Sequence, residues 1–368
     1  MMGKKPLLLL FIILAIEART QENNRERRLP LDQTEVFYNS GMIMPHVPAI
    51  DFITDEYISS FNINFLKTMD GDKLWENLYR HPNLGFGYYQ GSLGNNNIYG
   101  KAYSLYGFFE APLWKINPKF KLNYRMSTGL SFISKTFDIE DNIYNIAIGS
   151  HINLHFNLFL SALINITEEY KLITGFSLTH FSNGKIRSPN KGLNVINGSL
   201  GVRYYLRQPE TFTKDFDEPE IRKKNHFSLI WSNGLKDFNR FKDNVYYISS
   251  VNTSYEHQYA HFGKAGVGLD IFYNSALRNF REETIKNGVT NSALYRIGTH
   301  LSHDIIVGDF SLTMQLGHYL YNKAFYITDI YNRIGLKYYS NNGMILSLSL
   351  KSHNANAEFI EFGIGYLW

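Results

Sequence analysis

Hydrophobic and polar residues alternate along most of this chain with a period of two. In residues 120–132 the even positions are mostly apolar and the odd positions are polar or small. The same alternation recurs in residues 310–317 and 344–351. A period of two is typical of β-strands that carry one apolar and one polar face. The sequence therefore predicts an all-β fold.

Two architectures produce such strands, a soluble β-sandwich and a membrane β-barrel. Many segments reach about 10 residues, the length that a tilted strand needs to cross a bilayer. Aromatic residues crowd the segment ends, as in the interfacial girdles of barrels. The chain also closes on an alternating strand that ends in an aromatic residue, Phe362-Gly-Ile364-Gly-Tyr366-Leu-Trp368. These features favour the membrane barrel over the sandwich.

The first residues have the pattern of a secretory signal. Lys4 and Lys5 precede an apolar run at residues 7–16, and Ala18 is a small residue at a suitable cleavage position. The run is too short to cross a bilayer as a helix, so we predict that residues 1–20 are removed as a signal peptide. Cysteine is absent and the net charge is +4, which excludes disulfides and says little about partners.

The predicted fold is a transmembrane antiparallel β-barrel of the bacterial outer-membrane type. Such barrels have even strand numbers, and we expect about 14 strands, within a range of about 12–16. The barrel is assigned to residues 83–368, and residues 21–82 to a periplasmic or irregular segment. Within that segment, residues 61–66 could form a strand and residues 72–79 a short helix. No linker is evident, although residues 207–225 are the most polar interior stretch.

Connection lengths predict the direction of the strands. Periplasmic turns are short and external loops are long in bacterial barrels. Short connections near residues 167–169, 261–263, 308–309 and 341–343 are assigned to the periplasm. Longer ones at residues 233–244, 279–291 and 321–331 are assigned to the outside. The long stretch at residues 207–225 is an exception on the periplasmic side.

The stretch at residues 179–194 brings three polar side chains to one place on this barrel. His180 and Ser182 continue the more apolar face of one strand, and Asn194 lies on the corresponding face of the returning strand. Residues two apart in a strand point the same way. We therefore expect the three side chains to face lipid at the outer end of the barrel. Polar groups in that environment are costly unless they have a task or lie at the interface.

These residue types suit nucleophilic hydrolysis. A serine hydroxyl becomes a good nucleophile when a base takes its proton; His180 is the candidate base for Ser182, and Asn194 could orient the imidazole. Donors for an oxyanion could come from Asn183, Asn190 and the backbone near Gly184. His-x-Ser alone is a weak signal, and an ordinary polar turn is the alternative.

The motif His180-Phe-Ser182-Asn183, followed by Pro189-Asn190 and Gly192, resembles the active-site signature of outer-membrane lipid A 3-O-deacylases. These small barrels hydrolyse the ester-linked acyl chain at the 3-position of lipid A. The resemblance implies that His180 is the base, that Ser182 is the nucleophile, and that Asn183 and Asn190 assist the oxyanion. The acidic third member of that family's site falls on Asn194, which is a departure. The strands after residue 206 have no counterpart in the small barrel.

The predicted substrate is therefore lipid A or a related glycolipid that approaches from the outer leaflet. Its acyl chain would lie along outward apolar residues, namely Phe176, Leu178, Ile196 and Leu200. The chemistry needs no cofactor or metal, and we predict no nucleic-acid partner and insertion by the barrel-assembly machinery. One alternative function is a non-enzymatic channel or structural barrel, and another is an outer-membrane phospholipase with a calcium site. The acidic run Asp138, Glu140 and Asp141 is a solvated loop or a cation site.

Overall fold

The computed structural model describes residues 31–51, 53–54, 57–117, 119–208, 218–239, 242–279, 291–324, 328–354 and 356–368. The predicted signal peptide, residues 1–20, lies outside the described residues. Within the described ranges, no helix has the length and apolar character needed to cross a membrane.

Eight antiparallel strands form a first closed barrel in the described chain, each paired with its sequence neighbour. They are β1 (Gln33–Ile43), β2 (Ile58–Thr68), β3 (Asn83–Ser92), β4 (Lys101–Asn117), β5 (Phe120–Ile133), β6 (Ile152–Asn165), β7 (Tyr170–Ser182) and β8 (Leu193–Tyr205). The barrel closes between β1 and β8, where Val36 lies opposite Val202.

Eight further strands form a second closed barrel within the described residues. They are β9 (Asn225–Asn239), β10 (Lys242–Ala260), β11 (Gly263–Asn274), β12 (Tyr295–Val307), β13 (Phe310–Tyr321), β14 (Ile330–Tyr339), β15 (Met344–His353) and β16 (Asn356–Leu367). This barrel closes between β9 and β16, where Trp231 lies opposite Ile364.

The predicted class, an antiparallel membrane barrel, is confirmed, and the 16 strands of the described residues lie at the upper end of the predicted range of 12–16. The prediction of one barrel over residues 83–368 is wrong, because the strands form two closed barrels of eight. The assignment of residues 21–82 to an irregular segment is also wrong for the described part of that segment, because it contains β1 and β2, which complete the first barrel. Alternation specifies which face of a strand is apolar, but it does not specify which other strand pairs with it. The sequence pattern therefore did not reveal that the first barrel closes after eight strands. The strand considered at residues 61–66 lies within β2.

The faces of the strands follow the membrane pattern. In β5, Asn123, Arg125 and Ser127 are buried in the barrel, whereas Phe132 on the other face is 46% exposed. Large apolar side chains project outward around both barrels, including Leu105, Leu160, Leu269, Leu301 and Leu316. A polar interior and an apolar exterior reverse the arrangement of a soluble sandwich, as a lipid-facing barrel requires.

Ion pairs fill the interior of the first barrel. Arg203 donates through Nε to Glu35 at 2.9 Å and through Nη1 and Nη2 to Glu110, each at 2.8 Å. Arg125 pairs with the same two carboxylates. All four residues are buried. Because buried charges are costly without partners, the two guanidinium groups and two carboxylates stabilise one another.

The second interior is filled in the same manner with a different set. Arg333 donates to Asp270 at 2.9 Å and to Glu361 at 2.6 Å. Glu358 accepts from Arg296 at 2.7 Å and from Lys351 at 2.6 Å. An eight-stranded barrel encloses a space that side chains can just fill. Both barrels therefore have solid interiors built from charged and polar groups.

Loops close one end of the first barrel with an apolar cluster. The short helix α1 (Pro48–Asp51) contributes Ile50, which packs with Leu93, Tyr99 and Ile148 in one buried cluster. The same cluster includes Phe181 at the end of β7. These loops therefore hold the end of β7, where the polar residues of interest lie.

The opposite end carries a second short helix, α2 (Leu74–Leu78), in the stretch where a helix was predicted. The Glu76 carboxylate accepts from the backbone N–H groups of Gly71 at 3.0 Å and Lys73 at 3.4 Å. The Tyr79 hydroxyl donates to the carbonyl of Ile306 in the second barrel at 2.8 Å. Two 3₁₀ turns, Ser275–Asn279 and Asn291–Leu294, flank the connection between β11 and β12.

Candidate active site

Strands β7 and β8 bring the predicted site residues together by their register. His180 lies directly opposite Asn194, and Leu178 lies opposite Ile196. On the outward face below them, Phe176 is 75% exposed. Because side chains alternate along a strand, His180 shares this outward face.

A chain of hydrogen bonds runs through His180 and Asn194 to a residue far away in sequence. The Nδ1 atom of His180 lies 2.7 Å from the Oδ1 atom of Asn194. The Nδ2 atom of Asn194 lies 3.2 Å from the Nδ1 atom of His46. The Nε2 atom of His46 lies 2.8 Å from the carbonyl oxygen of Lys191. The chain therefore crosses from β8 to the segment that follows β1.

The directions of these bonds follow from which atoms can donate. Carbonyl oxygens only accept, so His46 carries its proton on Nε2 and uses Nδ1 to accept from Asn194. The amide oxygen of Asn194 then accepts from the Nδ1–H group of His180. This tautomer leaves Nε2 of His180 without a proton and able to act as a base.

Gly192 makes room for the imidazole of His180. This glycine has a φ of +74°, a left-handed conformation that glycine adopts without steric cost. A β-carbon at this position would lie 2.8 Å from Cε1 of His180. The backbone N–H of Gly192 donates to the carbonyl of Ala147 at 3.0 Å. Gly192 therefore forms one wall of the space that the imidazole of His180 occupies.

Two donors converge on the Ser182 hydroxyl. The side-chain Nδ2 of Asn190 lies 2.8 Å from Oγ of Ser182, and the backbone N–H of Gly184 lies 3.1 Å from it. Ser182 is 7% exposed under the loop of residues 183–192. Donors held at a hydroxyl in this way lie beside the position where an oxyanion would form in acyl transfer.

Asn183 supports the loop, and its side chain makes bonds that differ from those of Asn190. Its Nδ2 donates to Oγ of Ser150 at 2.9 Å and to the carbonyl of Arg187 at 3.0 Å. Its backbone N–H donates to Oδ1 of Asn190 at 3.0 Å. Of the three residues predicted as oxyanion donors, Asn190 and Gly184 thus contact Ser182, and Asn183 orients Asn190.

The residues predicted to contact substrate form an outward strip below His180. Leu178, Ile196 and Leu200 are 37%, 40% and 59% exposed. Beside them a shallow groove crosses β1, β7 and β8, lined by Tyr38, Ser40, Thr174, Gly175, Phe176, Gly198, Ser199 and Leu200. The polar site therefore lies at the end of an apolar surface.

The acidic run in the loop before β6 bonds to its own backbone. Oδ1 of Asp138 accepts from the N–H groups of Asp141 at 3.0 Å and Glu140 at 2.8 Å. These two hydrogen bonds lower the pKa of the Asp138 carboxyl group. Among the described residues, no group of three or more histidines and acidic residues is placed to hold a metal ion.

A second serine and histidine pair occurs inside the second barrel. Nε2 of His300 lies 3.1 Å from Oγ of Ser254, and its Nδ1 lies 2.7 Å from Oδ2 of Asp270. The three residues are 2%, 1% and 0% exposed. The connectivity is that of a Ser-His-Asp triad, but it lies within the filled interior and does not face the bilayer.

His46 is the site residue that the sequence did not predict. Its bond to Asn194 spans 148 positions of sequence. It lies at the site because β1 pairs with β8, where Met44 donates to the carbonyl of Asn194 at 2.8 Å. Assignment of β1 as a strand of an eight-stranded barrel would have been the signal that brought His46 to this position.

Two family models match the chain, one for each barrel. Residues 60–203 match the family described as lipid A 3-O-deacylase (PagL). Residues 225–368 match the family described as acyloxyacyl hydrolase, C-terminal domain. Together the two matched regions span most of the chain and include every residue of the candidate site except His46.

Two solved structures that match part of the chain share little sequence with it. The crystal structure of Neisserial surface protein A has 12% identity and a TM-score of 0.33, and the match covers 47% of this chain and 96% of that one. The crystal structure of the outer membrane enzyme PagL has 16% identity and a TM-score of 0.29, covering 46% and 98%. No curated protein matches the chain.

Proposed function

The chain belongs to the lipid A 3-O-deacylase family, and we propose that it hydrolyses an acyl ester of lipid A in the bacterial outer membrane. The observation that carries this proposal is the group of side chains around Ser182. A hydroxyl with two converging donors and an oriented imidazole on the same strand face are the parts that ester hydrolysis requires.

In the proposed first step, Oγ of Ser182 attacks the ester carbonyl carbon. Nε2 of His180 takes the hydroxyl proton, because its Nδ1 proton is engaged by Asn194. The carbonyl oxygen becomes an oxyanion, which the Asn190 amide and the Gly184 N–H group stabilise. His180 then gives its proton to the leaving sugar oxygen, and the acyl group remains on Ser182.

In the second step, a water molecule attacks the acyl group on Ser182. His180 takes a proton from this water, and the same two donors stabilise the second oxyanion. When the intermediate collapses, His180 returns a proton to Oγ of Ser182. The products are a free fatty acid and a glycolipid with one hydroxyl group restored.

Asn194 and His46 have a positioning role in this proposal. The family's acidic residue would stabilise a protonated imidazole by charge, whereas the Asn194 amide can only accept its proton in a hydrogen bond. The bond from Nδ2 of Asn194 to His46 keeps the amide oxygen turned toward His180. His46 therefore maintains the tautomer that makes His180 a base.

Lateral approach of a lipid suits the surface below the site. Phe176 and Leu200 are 75% and 59% exposed on the outward face, so hydrocarbon chains can lie against them. The substrate would thus bring its ester to Ser182 while its acyl chain stays in the bilayer. This placement supports an outer-leaflet glycolipid as the substrate.

The interiors of the barrels weigh against the alternative of a channel. The charged residues that line them are buried and paired, such as Arg203 with Glu110 and Arg333 with Asp270. A cavity in the first barrel has a volume of about 20 Å³, which is about the room for one water molecule. A conducting pore would need a continuous water-filled path.

Mass spectrometry of lipid A from cells that express the chain or its Ser182→Ala variant tests the proposal. We expect the parent chain to remove one acyl group and the variant to leave lipid A intact at equal expression. Identical spectra from both chains would contradict the proposal and favour a non-enzymatic barrel.

A further inference from the structure

Two side chains on the outward surface of the second barrel are buried although their neighbours are exposed. Asp237 and Leu235 lie on the same face of β9, yet they are 1% and 51% exposed. Ile360 and Phe362 on β16 show the same contrast, at 6% and 57%. An outward carboxylate in a membrane barrel is costly. Other groups of the protein must therefore shield the Asp237 carboxylate from lipid.

The cover is the loop of residues 183–192 from the first barrel. The backbone N–H of Asp237 donates to the carbonyl of Lys185 at 3.0 Å. Oδ2 of Asp237 accepts from the backbone N–H of Ser188 at 2.9 Å. The loop that contributes Asn190 to the candidate site is therefore bonded at two points to β9.

Gly184 joins the same contact to the candidate site directly. Its N–H donates to Ser182, while its α-carbon faces the side chain of Ile360. A β-carbon on Gly184 would lie 2.2 Å from Cδ1 of Ile360, and its φ is +61°. Only a glycine fits between the two barrels in this conformation.

We propose that the second barrel acts as a clamp that holds the loop of residues 183–192 of the first barrel in place. Asp237 is then a positioning residue for the oxyanion donors that this loop contributes. The inference rests on the proposed function, since it concerns the same donors at Ser182. A ten-residue loop that joins two strands would sample many conformations alone. Donors stabilise a transition state well only when they are held in place beforehand. The bonds from Asp237 to Lys185 and Ser188 supply that restraint.

Two substitutions of Asp237 in the full-length chain test the clamp. Asp237→Ala removes the acceptor for Ser188, and we expect kcat for lipid A hydrolysis to fall by about 10- to 100-fold with little change in KM. Asp237→Asn keeps a side-chain oxygen that can accept this bond, so we expect it to recover most of kcat. Leu235→Ala, two positions away on the same face, is the matched control and should leave kcat unchanged.

Hydrogen exchange of the peptide that covers residues 183–192 provides a readout that does not depend on activity. We expect faster exchange in Asp237→Ala than in the parent chain, and parental rates in Asp237→Asn and Leu235→Ala. Heat-dependent mobility in gels would verify that every variant is a folded barrel.

Unchanged exchange in folded Asp237→Ala would overturn the clamp. Faster exchange with parental kcat would overturn Asp237 as a positioning residue. If the parent and Ser182→Ala chains give identical lipid spectra, the proposed function fails, and the exchange rates still decide whether the second barrel restrains the loop.

Discussion

The molecule carries two sets of serine and histidine that have opposite surroundings. In the second barrel, Ser254, His300 and Asp270 have the connectivity of a complete triad and are buried in the interior. In the first, His180 is backed by an amide of Asn194 instead of a carboxylate, and the set lies on the outward face. The set whose residue types match a triad more closely, in the second barrel, therefore lies where a lipid cannot reach it.

Under the proposed function, access and oxyanion donors matter more than the identity of the third residue. Asp270 also accepts from Tyr331, at 2.6 Å, and from Arg333, at 2.9 Å, so it is one member of an ion-pair network that stabilises the interior. Ser182, by contrast, has two donors at its hydroxyl and an apolar surface beside it. We therefore assign chemistry to the outward set and structure to the inward one.

The largest expected effect comes from substituting the two serines in parallel. Ser182→Ala should lower kcat for lipid A hydrolysis by on the order of 10⁴-fold or more, since it removes the nucleophile. Ser254→Ala should leave kcat within about twofold, because it removes only one buried hydroxyl from a structural network. Kinetics on purified lipid A measure both, and a comparable loss in Ser254→Ala would reverse the assignment.

The next effect concerns stability and compares the two interiors. Arg203→Ala leaves Glu35 and Glu110 with fewer partners, and we expect it to lower the free energy of unfolding by about 3–5 kcal/mol. Urea titration in lipid vesicles would measure the loss. Arg333→Ala should have a similar effect in the second barrel, because Asp270 and Glu361 would lose a shared cation. Parental stability in either variant would contradict the structural role of these networks.

Removal of the side-chain donor at Ser182 should affect the rate and spare the fold. Asn190→Ala eliminates the 2.8 Å contact with Oγ of Ser182, and the loss of one such donor lowers kcat by about 10²- to 10³-fold. Asn252→Ala, which removes an amide that donates to Asp270, is the corresponding change in the inward set. It should leave kcat near the parental value, and equal losses in the two variants would argue against an oxyanion role for Asn190.

The smallest effect is expected at His46, which acts through Asn194. His46→Ala frees the Asn194 amide to rotate, so that Oδ1 faces His180 for only part of the time. We expect kcat to fall by about 10-fold, the equivalent of about 1.4 kcal/mol, with KM unchanged. His46→Gln offers another acceptor for the amide and should recover part of the loss. Full activity in His46→Ala would mean that Asn194 needs no support.

Much of the fold could be predicted from alternation, which places Arg125 inward and Phe132 outward by their positions in β5. Closure into two barrels could not be predicted from alternation, because it depends on which strands pair and in which register. β1 is an example, since its inward face contains Phe37 and Ile43 beside Glu35 and Asn39. Such a mixed face gives a weak periodic signal, and the strand was assigned to an irregular segment.

The residues of the candidate site also divide into those that the sequence predicts and those that only the structure shows. His180 and Asn194 lie opposite each other on two adjacent strands, so alternation and short spacing were enough to predict that these two residues meet. His46 and Asp237 reach the site through the closure of one barrel and the contact with the other. Neither relation has a local pattern, and both residues therefore emerged only from the structure.

Labelling with a lipophilic phosphonate ester, followed by peptide mass spectrometry, tests the central claim most directly. Such a reagent reacts with an activated serine and reaches it from the bilayer. The account predicts that the label is found on Ser182, is absent from Ser254, and disappears in His180→Ala. A label on Ser254 would contradict the account. The absence of a label on Ser182, in a preparation of the chain that removes acyl groups from lipid A, would also contradict it.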